Sequence, residues 1–292
     1  MTYFKSSFVV AGLLFFALSG DSVEAFSPAV PFASPRQQTT AVSPLFAAPT
    51  INDKFPNLVG STQDSNNFDL YEYLGDDSWA MIFMHPGDFT PVCTTELGTA
   101  AKYADELKSR NVKLVGFSCN DAASHRDWIK DIASVTGGQV DFPMFCDPGR
   151  DNAVKLGILD ENNKDAQGLP LTVRSLYILK PDKTIALMMT YPASTGRNFK
   201  EVLRVLDSVQ MTAEHSVATP VDWKRGEDVI VNFPLSNKDA DEKFGKKGYR
   251  VVSVPSEQGK DGLAKNYLRY TKDPSASVVK RWWRKLPLLG RV

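Results

Sequence analysis

Between Ser78 and Met84 the chain reads SWAMIFM, an almost unbroken apolar run of strand length. VKLVGFS repeats the theme from Val112 to Ser118. Runs this short without a polar face predict strands buried on both sides. Between them Leu97, Ala100, Ala101, Ala104 and Leu107 recur at helical spacing, which predicts a helix over 94–110. Strand, helix and strand with short links predict a right-handed βαβ unit.

Further along, a helix is expected over Ser124–Thr136, closed by Gly137 and Gly138. VDFPMFCD reads as a short strand, and Asn152–Leu156 as a short helix ending at Gly157. RSLYIL and TIALMMTY flank the turn Lys180-Pro181-Asp182-Lys183 and predict a hairpin. Over 198–209, Phe199, Val202, Leu203, Leu206 and Val209 share one helical face. The expected class is α/β, a thioredoxin-like mixed sheet with flanking helices over 51–212. Composition changes after His215, so a small C-terminal domain of turns and short strands is expected over 213–272, then a tail over 273–292.

The first fifty residues read as targeting sequence. Lys5 precedes the apolar run Phe8–Leu18, and Val23 and Ala25 satisfy the small-residue cleavage rule, so 1–25 is expected to be a signal peptide. Residues 26–50 hold no acid, are rich in Ser, Thr, Pro and Ala, and carry Arg36, a transit-peptide composition. With Phe26 just after the cleavage point, the whole resembles the bipartite plastid presequence of algae with secondary plastids. The alternative is secretion, or residence in the endomembrane lumen.

The chain of 292 residues carries 34 basic and 34 acidic side chains, which gives no global case for nucleic-acid binding. Its three Cys and three His show no zinc-type spacing, and no Walker loop or GxGxxG occurs. No metal and no organic cofactor is expected. Chemistry concentrates instead in HPGDFTPVCTTE, His85–Glu96. Cys93 falls between the predicted strand and helix, where unpaired backbone N–H groups favour an anion, and a thiolate is an anion. Pro86 and Pro91 stiffen the loop. Thr90 can bring a hydroxyl to the sulfur, and Arg174 in TVRSLYI can supply a permanent positive charge.

These residues resemble a family. PGDFTPVCTTE resembles the PxxxTxxC signature of peroxiredoxins, with Pro86, Thr90 and Cys93 in the matching places. LTVRSLYIL is similar to the strand carrying the family's active-site arginine. YPASTGRNFKEVLRVLDSVQMT and VATPVDWKRGEDVIV resemble the one-Cys, peroxiredoxin-6-like subgroup and its C-terminal domain. The resemblance spans roughly 51–270. It implies a thiol-dependent peroxidase in which the Cys93 thiolate attacks the O–O bond and becomes a sulfenic acid. It further implies that Thr90 hydrogen-bonds the thiolate and the peroxide, that Arg174 stabilises the developing charge, and that Pro86 shields the sulfur. Glu96 would orient Arg174, with Arg197 and His85 in supporting places. A homodimer is implied as well.

Neither Cys119 nor Cys146 occupies a resolving position, so an external thiol, glutathione or a thioredoxin-like partner, is expected to reduce the sulfenic acid. Cys119 reads as a core thiol and Cys146 as a small-residue exchange, although a disulfide of either with Cys93 stays open at this level. Gly87 stands where the family commonly has Arg. A redox sensor or holdase chaperone using the same cysteine is the competing function. Some members of the subgroup hydrolyse phospholipids. Here GDDSWA keeps Ser78 and Asp182, but Tyr71 replaces the His and Ala80 the last Gly, so that activity is not expected. The tail carries Lys280, Arg281, Arg284, Lys285 and Arg291 around Trp282-Trp283 and no acid. Weak contact with an anionic membrane through 275–292 is one reading. A tail folded onto an acidic patch is the favoured one.

Overall fold

The computed structural model describes residues 47–254 and 267–275. The expectations for the presequence and the basic tail lie outside those residues. Seven strands form the main sheet: β1 (Val59–Thr62), β2 (Phe68–Asp69), β3 (Trp79–Met84), β4 (Val112–Ser118), β5 (Met144–Cys146), β8 (Arg174–Leu179) and β9 (Ile185–Tyr191), in the order β2-β1-β5-β4-β3-β8-β9. β3 runs parallel to β4 and antiparallel to β8, with Phe83 opposite both Gly116 and Leu176.

The apolar run of β3 is explained by two cores. Trp79, Met81 and Phe83 point to one, and Ala80, Ile82 and Met84 to the other. The first is roofed by three helices: α2 (Pro91–Lys102) through Leu97 and Ala100, α4 (Ala122–Thr136) through Trp128 and Ile132, and α6 (Phe199–Glu214) through Val202 and Leu206. Each such buried side chain contributes about 1.5–3 kcal/mol relative to exposure. The second core holds Phe55, Leu58, Phe117 and Phe145, together with Leu70 and Leu74 of α1 (Leu70–Leu74) and Ala153 of α5 (Asp151–Lys155). Asp121 caps α4 by accepting from the Ser124 N–H at 2.8 Å, and Gly137 ends it in the left-handed conformation.

The helix expected over 94–110 differs in two ways. It starts three residues earlier, at Pro91, whose missing N–H is harmless in the first turn. It also breaks at Tyr103, and α3 (Ala104–Ser109) follows. The break lays the Tyr103 ring flat on Phe199, with centroids 5.6 Å apart. A small hairpin, β6 (Leu159–Lys164) with β7 (Pro170–Thr172), precedes β8.

Beyond α6 a second sheet has the order β10-β11-β13-β12, from Val217–Ala218, Val229–Val231, Arg269–Thr271 and Tyr249–Val251. Met211, Val217, Trp223 and Val229 form its core. This segment also contains a helix, α7 (Asn237–Phe244), where only turns and strands are expected from sequence. Among the described residues no helix is long and apolar enough to cross a membrane.

Candidate active site

Cys93 is the third residue of α2, and its side chain is fully buried against the first core. Thr90 is the N-cap residue but makes no side-chain cap bond to the first turn. Its hydroxyl donates to the Gly87 carbonyl at 2.9 Å. With its proton given to the backbone, the hydroxyl oxygen keeps a lone pair free. Pro91 has no N–H, and the first-turn N–H groups of Val92 and Cys93 receive no cap from the Thr90 side chain. Pro86 is buried where β3 runs into the loop, and Phe89 takes a left-handed φ of 54°, strain that a rigid loop must hold.

The β8 hairpin brings Arg174 to the sulfur across 81 residues of sequence. Its Nη1 donates to Cys93 Sγ at 3.2 Å and to Glu96 Oε2 at 2.7 Å. Nε and Nη2 both donate to the Ala193 carbonyl, at 2.8 and 2.6 Å, which fixes the plane of the guanidinium. Glu96 lies one helical turn beyond Cys93, on the same face. Its other oxygen accepts from the backbone N–H of Arg197 at 2.6 Å and from Arg197 Nε at 2.9 Å. Arg197 also donates to the carbonyls of Ser175 and Met84, both at 2.9 Å, and its guanidinium carbon stands 3.5 Å from the centroid of the Phe83 ring.

Electrostatics follows from this count. Burial works against the Glu96 carboxylate, but the Arg197 hydrogen bonds and charge, with Arg174 behind them, hold it below the usual range. Burial also lowers Arg197 from the ordinary guanidinium value, against the pull of Glu96. Two guanidiniums and one carboxylate leave one net positive charge inside the protein, beside the Cys93 sulfur.

His85 joins a different network. Its Nε2 pairs with Asp88 Oδ1 at 2.8 Å, and Asp88 Oδ2 receives His125 Nδ1 and Ser124 Oγ, both at 2.7 Å. Burial lowers His85, whereas the hydrogen bonds from His125 and His85 hold Asp88 below the carboxylate range despite its burial. The backbone N–H of Asp88 donates to Asn120 Oδ1 at 3.0 Å, so the cluster ties the active-site loop to α4. Asp88 and His125 escape sequence reading. The only available signal is a His on the inner face of an amphipathic helix, whose ordinary role is structural. Ligating atoms of His85, Asp88 and His125 lie within 4.8 Å of one another, the only such set among the described residues. Hydrogen bonds already join them, and as arranged they hold protons.

The Tyr71 hydroxyl donates to the Phe55 carbonyl, while Ser78 borders a separate groove with Tyr73 and Lys113.

A buried thiol thus lies under a fixed arginine in the first turn of a helix, on a thioredoxin-like sheet. Comparison with known proteins gives the family. The AhpC/TSA family model matches residues 51–188, and the model for the C-terminal domain of 1-Cys peroxiredoxin matches 208–247. Peroxiredoxin-6 of Gallus gallus is 46% identical over 228 residues, covering 77% of this chain and 97% of that protein. The 1-Cys peroxiredoxin of Dirofilaria immitis is 43% identical over 236 residues, again covering 77% and 97%. A crystal structure of a cysteine-to-serine mutant of peroxiredoxin 6 of Arenicola marina superposes with a TM-score of 0.72 at 40% identity, over 78% of this chain and 99% of that one. A yeast mitochondrial 1-Cys peroxiredoxin, solved in connection with thiol resolution via glutathione and thioredoxin systems, gives a TM-score of 0.65 at 38% identity over 76% of this chain and 99% of that one. The chain belongs to the 1-Cys peroxiredoxin family, the thiol-dependent peroxidases.

Proposed function

We propose that Cys93 is the peroxide-reducing thiol and that Arg174 and Thr90 are its catalytic partners. The observation that carries this reading is the 3.2 Å bond from Arg174 Nη1 to the Cys93 sulfur, with Glu96 and Ala193 fixing the same guanidinium. In the reaction the thiolate attacks one peroxide oxygen, the O–O bond breaks, and the sulfur is oxidised by two electrons to a sulfenic acid. The leaving oxygen takes up a proton as an alcohol or water. Thr90 accepts a hydrogen bond from the attacked peroxide, the uncapped N–H groups receive its lone pairs, and Arg174 stabilises charge spreading along S–O–O. Pro86 keeps the buried sulfur from bulkier oxidants, and Arg197 holds Glu96. His85 acts indirectly, by anchoring the loop through Asp88.

Resolution is assigned to an external thiol of the glutathione or thioredoxin type. The yeast relative's thiol chemistry supports this. Because Cys93 is fully buried, a thiol larger than peroxide requires the first turn of α2 to open. A homodimer suits the sheet's outer strand β9 and the exposed Val221 and Phe233 of the C-terminal segment. Delivery to a plastid, and a subordinate membrane contact through 275–292, rest on sequence composition. Single-turnover peroxide consumption tests the central assignment. Arg174→Gln should slow it about a hundredfold or more with the fold intact. An unchanged rate would remove Arg174 from the chemistry.

A further inference from the structure

Asn120 lies half-buried in the link between β4 and α4. The reaction assigned above makes no use of it. Its backbone N–H donates to Ser118 Oγ at 3.1 Å, and Ser118 Oγ donates to its Oδ1 at 3.2 Å. Its amide nitrogen reaches Ser124 Oγ at 3.4 Å. The side-chain amide is therefore held at both ends, with its oxygen available to the active-site loop.

There Asn120 Oδ1 accepts from the backbone N–H of Asp88 at 3.0 Å. That N–H and the Gly87 carbonyl belong to one planar peptide group and point in opposite directions. The carbonyl accepts from the Thr90 hydroxyl at 2.9 Å. One rigid unit thus carries Asn120 on one side and Thr90 on the other. A Cβ at Gly87 would lie 3.8 Å from Asn120 Oδ1 and 3.9 Å from Thr90 Cγ2, so both side chains flank it at contact distance. The Asp88 side chain, bonded to His85, His125 and Ser124, anchors the loop, whereas Asn120 bonds the N–H of the peptide itself.

We propose that Asn120 is a positioning residue for peroxide reduction. By holding the Asp88 N–H it aims the Gly87 carbonyl at the Thr90 hydroxyl. The Thr90 proton is thereby directed to the backbone, and a lone pair stays free for the O–H of the incoming hydroperoxide. This rests on the reading of Thr90 as the acceptor for the peroxide. Asn120 acts through Thr90 and not on the sulfur, whose charged partner is Arg174.

The test is a double-mutant cycle on the reduced full chain, with Asn120→Leu, Thr90→Val and the pair. Each protein is oxidised by hydrogen peroxide in a stopped-flow single turnover, and is separately alkylated at Cys93 by iodoacetamide, followed by peptide mass. Alkylation reads thiolate fraction and access without involving a hydroperoxide O–H. Asn120→Leu should slow the peroxide reaction about tenfold with alkylation unchanged, and should add no further slowing in the Thr90→Val background. An unchanged peroxide rate in Asn120→Leu, beside a slowed Thr90→Val, would overturn the proposal and leave the reading of Thr90 standing. So would equal slowing by Asn120→Leu in both backgrounds, or parallel losses of peroxide and alkylation rates, since either marks a general role in the fold. A parent-like rate in Thr90→Val would overturn the reading of Thr90, and the proposal with it. Should Asn120→Leu fail to fold, Asn120→Ala carries the same cycle.

Discussion

At the scale of single residues, Glu96 holds the site together, because it is the one acid between two buried arginines. Replacing it with Gln leaves two guanidiniums facing each other without a counter-charge. Removing one member of such a buried set costs about 3–5 kcal/mol, so Glu96→Gln should lower the urea midpoint sharply and slow peroxide reduction. A midpoint within error of the parent would contradict the charge balance described above. Arg174→Lys keeps one charge but cannot serve Cys93, Glu96 and Ala193 at once. Its peroxide reaction should recover only part of the rate lost in Arg174→Gln, as single-turnover kinetics would show. Much of this is legible in sequence, since Cys93, Thr90, Glu96 and Arg174 stand in recognisable motifs. The commitment of the Thr90 proton to Gly87, and the role of Asp88, depend on backbone positions that no motif encodes.

At the scale of elements, α2 carries Cys93 and must sit at a fixed height against α4. Gly98 sets that height. A Cβ there would lie 2.2 Å from Thr136 Oγ1 and 2.6 Å from its Cβ. Gly98→Ala should therefore destabilise by about 1–3 kcal/mol, measured as a shift in the denaturation midpoint. A stabilised Gly98→Ala would mean that the two helices are not in register as described. Strands buried on both faces, such as β3 and β4, are legible because their apolar runs are interrupted only by Lys113 and ended only by Ser118. The start of α2 is less so, since the apolar spacing begins at Leu97 whereas the backbone turns helical at Pro91. α7 is hidden for the same reason, because Asn237–Phe244 buries only Ala240 and shows no apolar stripe. β1 and β2 are too short and too mixed in polarity to stand out.

Across the whole molecule, the Asp88 cluster makes stability depend on pH in two directions. His125 holds its proton to about 9 in the folded protein, against 6.5 for an ordinary histidine. Its contribution is therefore complete below pH 6.5 and is lost as pH rises toward 9. Asp88 behaves oppositely. Its carboxyl is held below the ordinary 3.8, so its contribution is present above that value and is lost as pH falls through the lower folded range. The denaturation midpoint should fall between pH 6.5 and 9, and His125→Gln should flatten that limb. A parent midpoint that stays level to pH 9 would show that His125 is not held charged.

The central claim is that Cys93 reduces peroxide without an internal resolving partner. Stopped-flow oxidation of the reduced protein and its Cys93→Ser variant, with intact mass recorded at each time, tests it most directly. The parent should rapidly gain one oxygen atom and keep it until an external thiol is added, while the variant lacks the fast phase. Rapid loss of two hydrogens instead would reveal an internal disulfide, and a fast phase that survives Cys93→Ser would place the peroxidase chemistry on another residue.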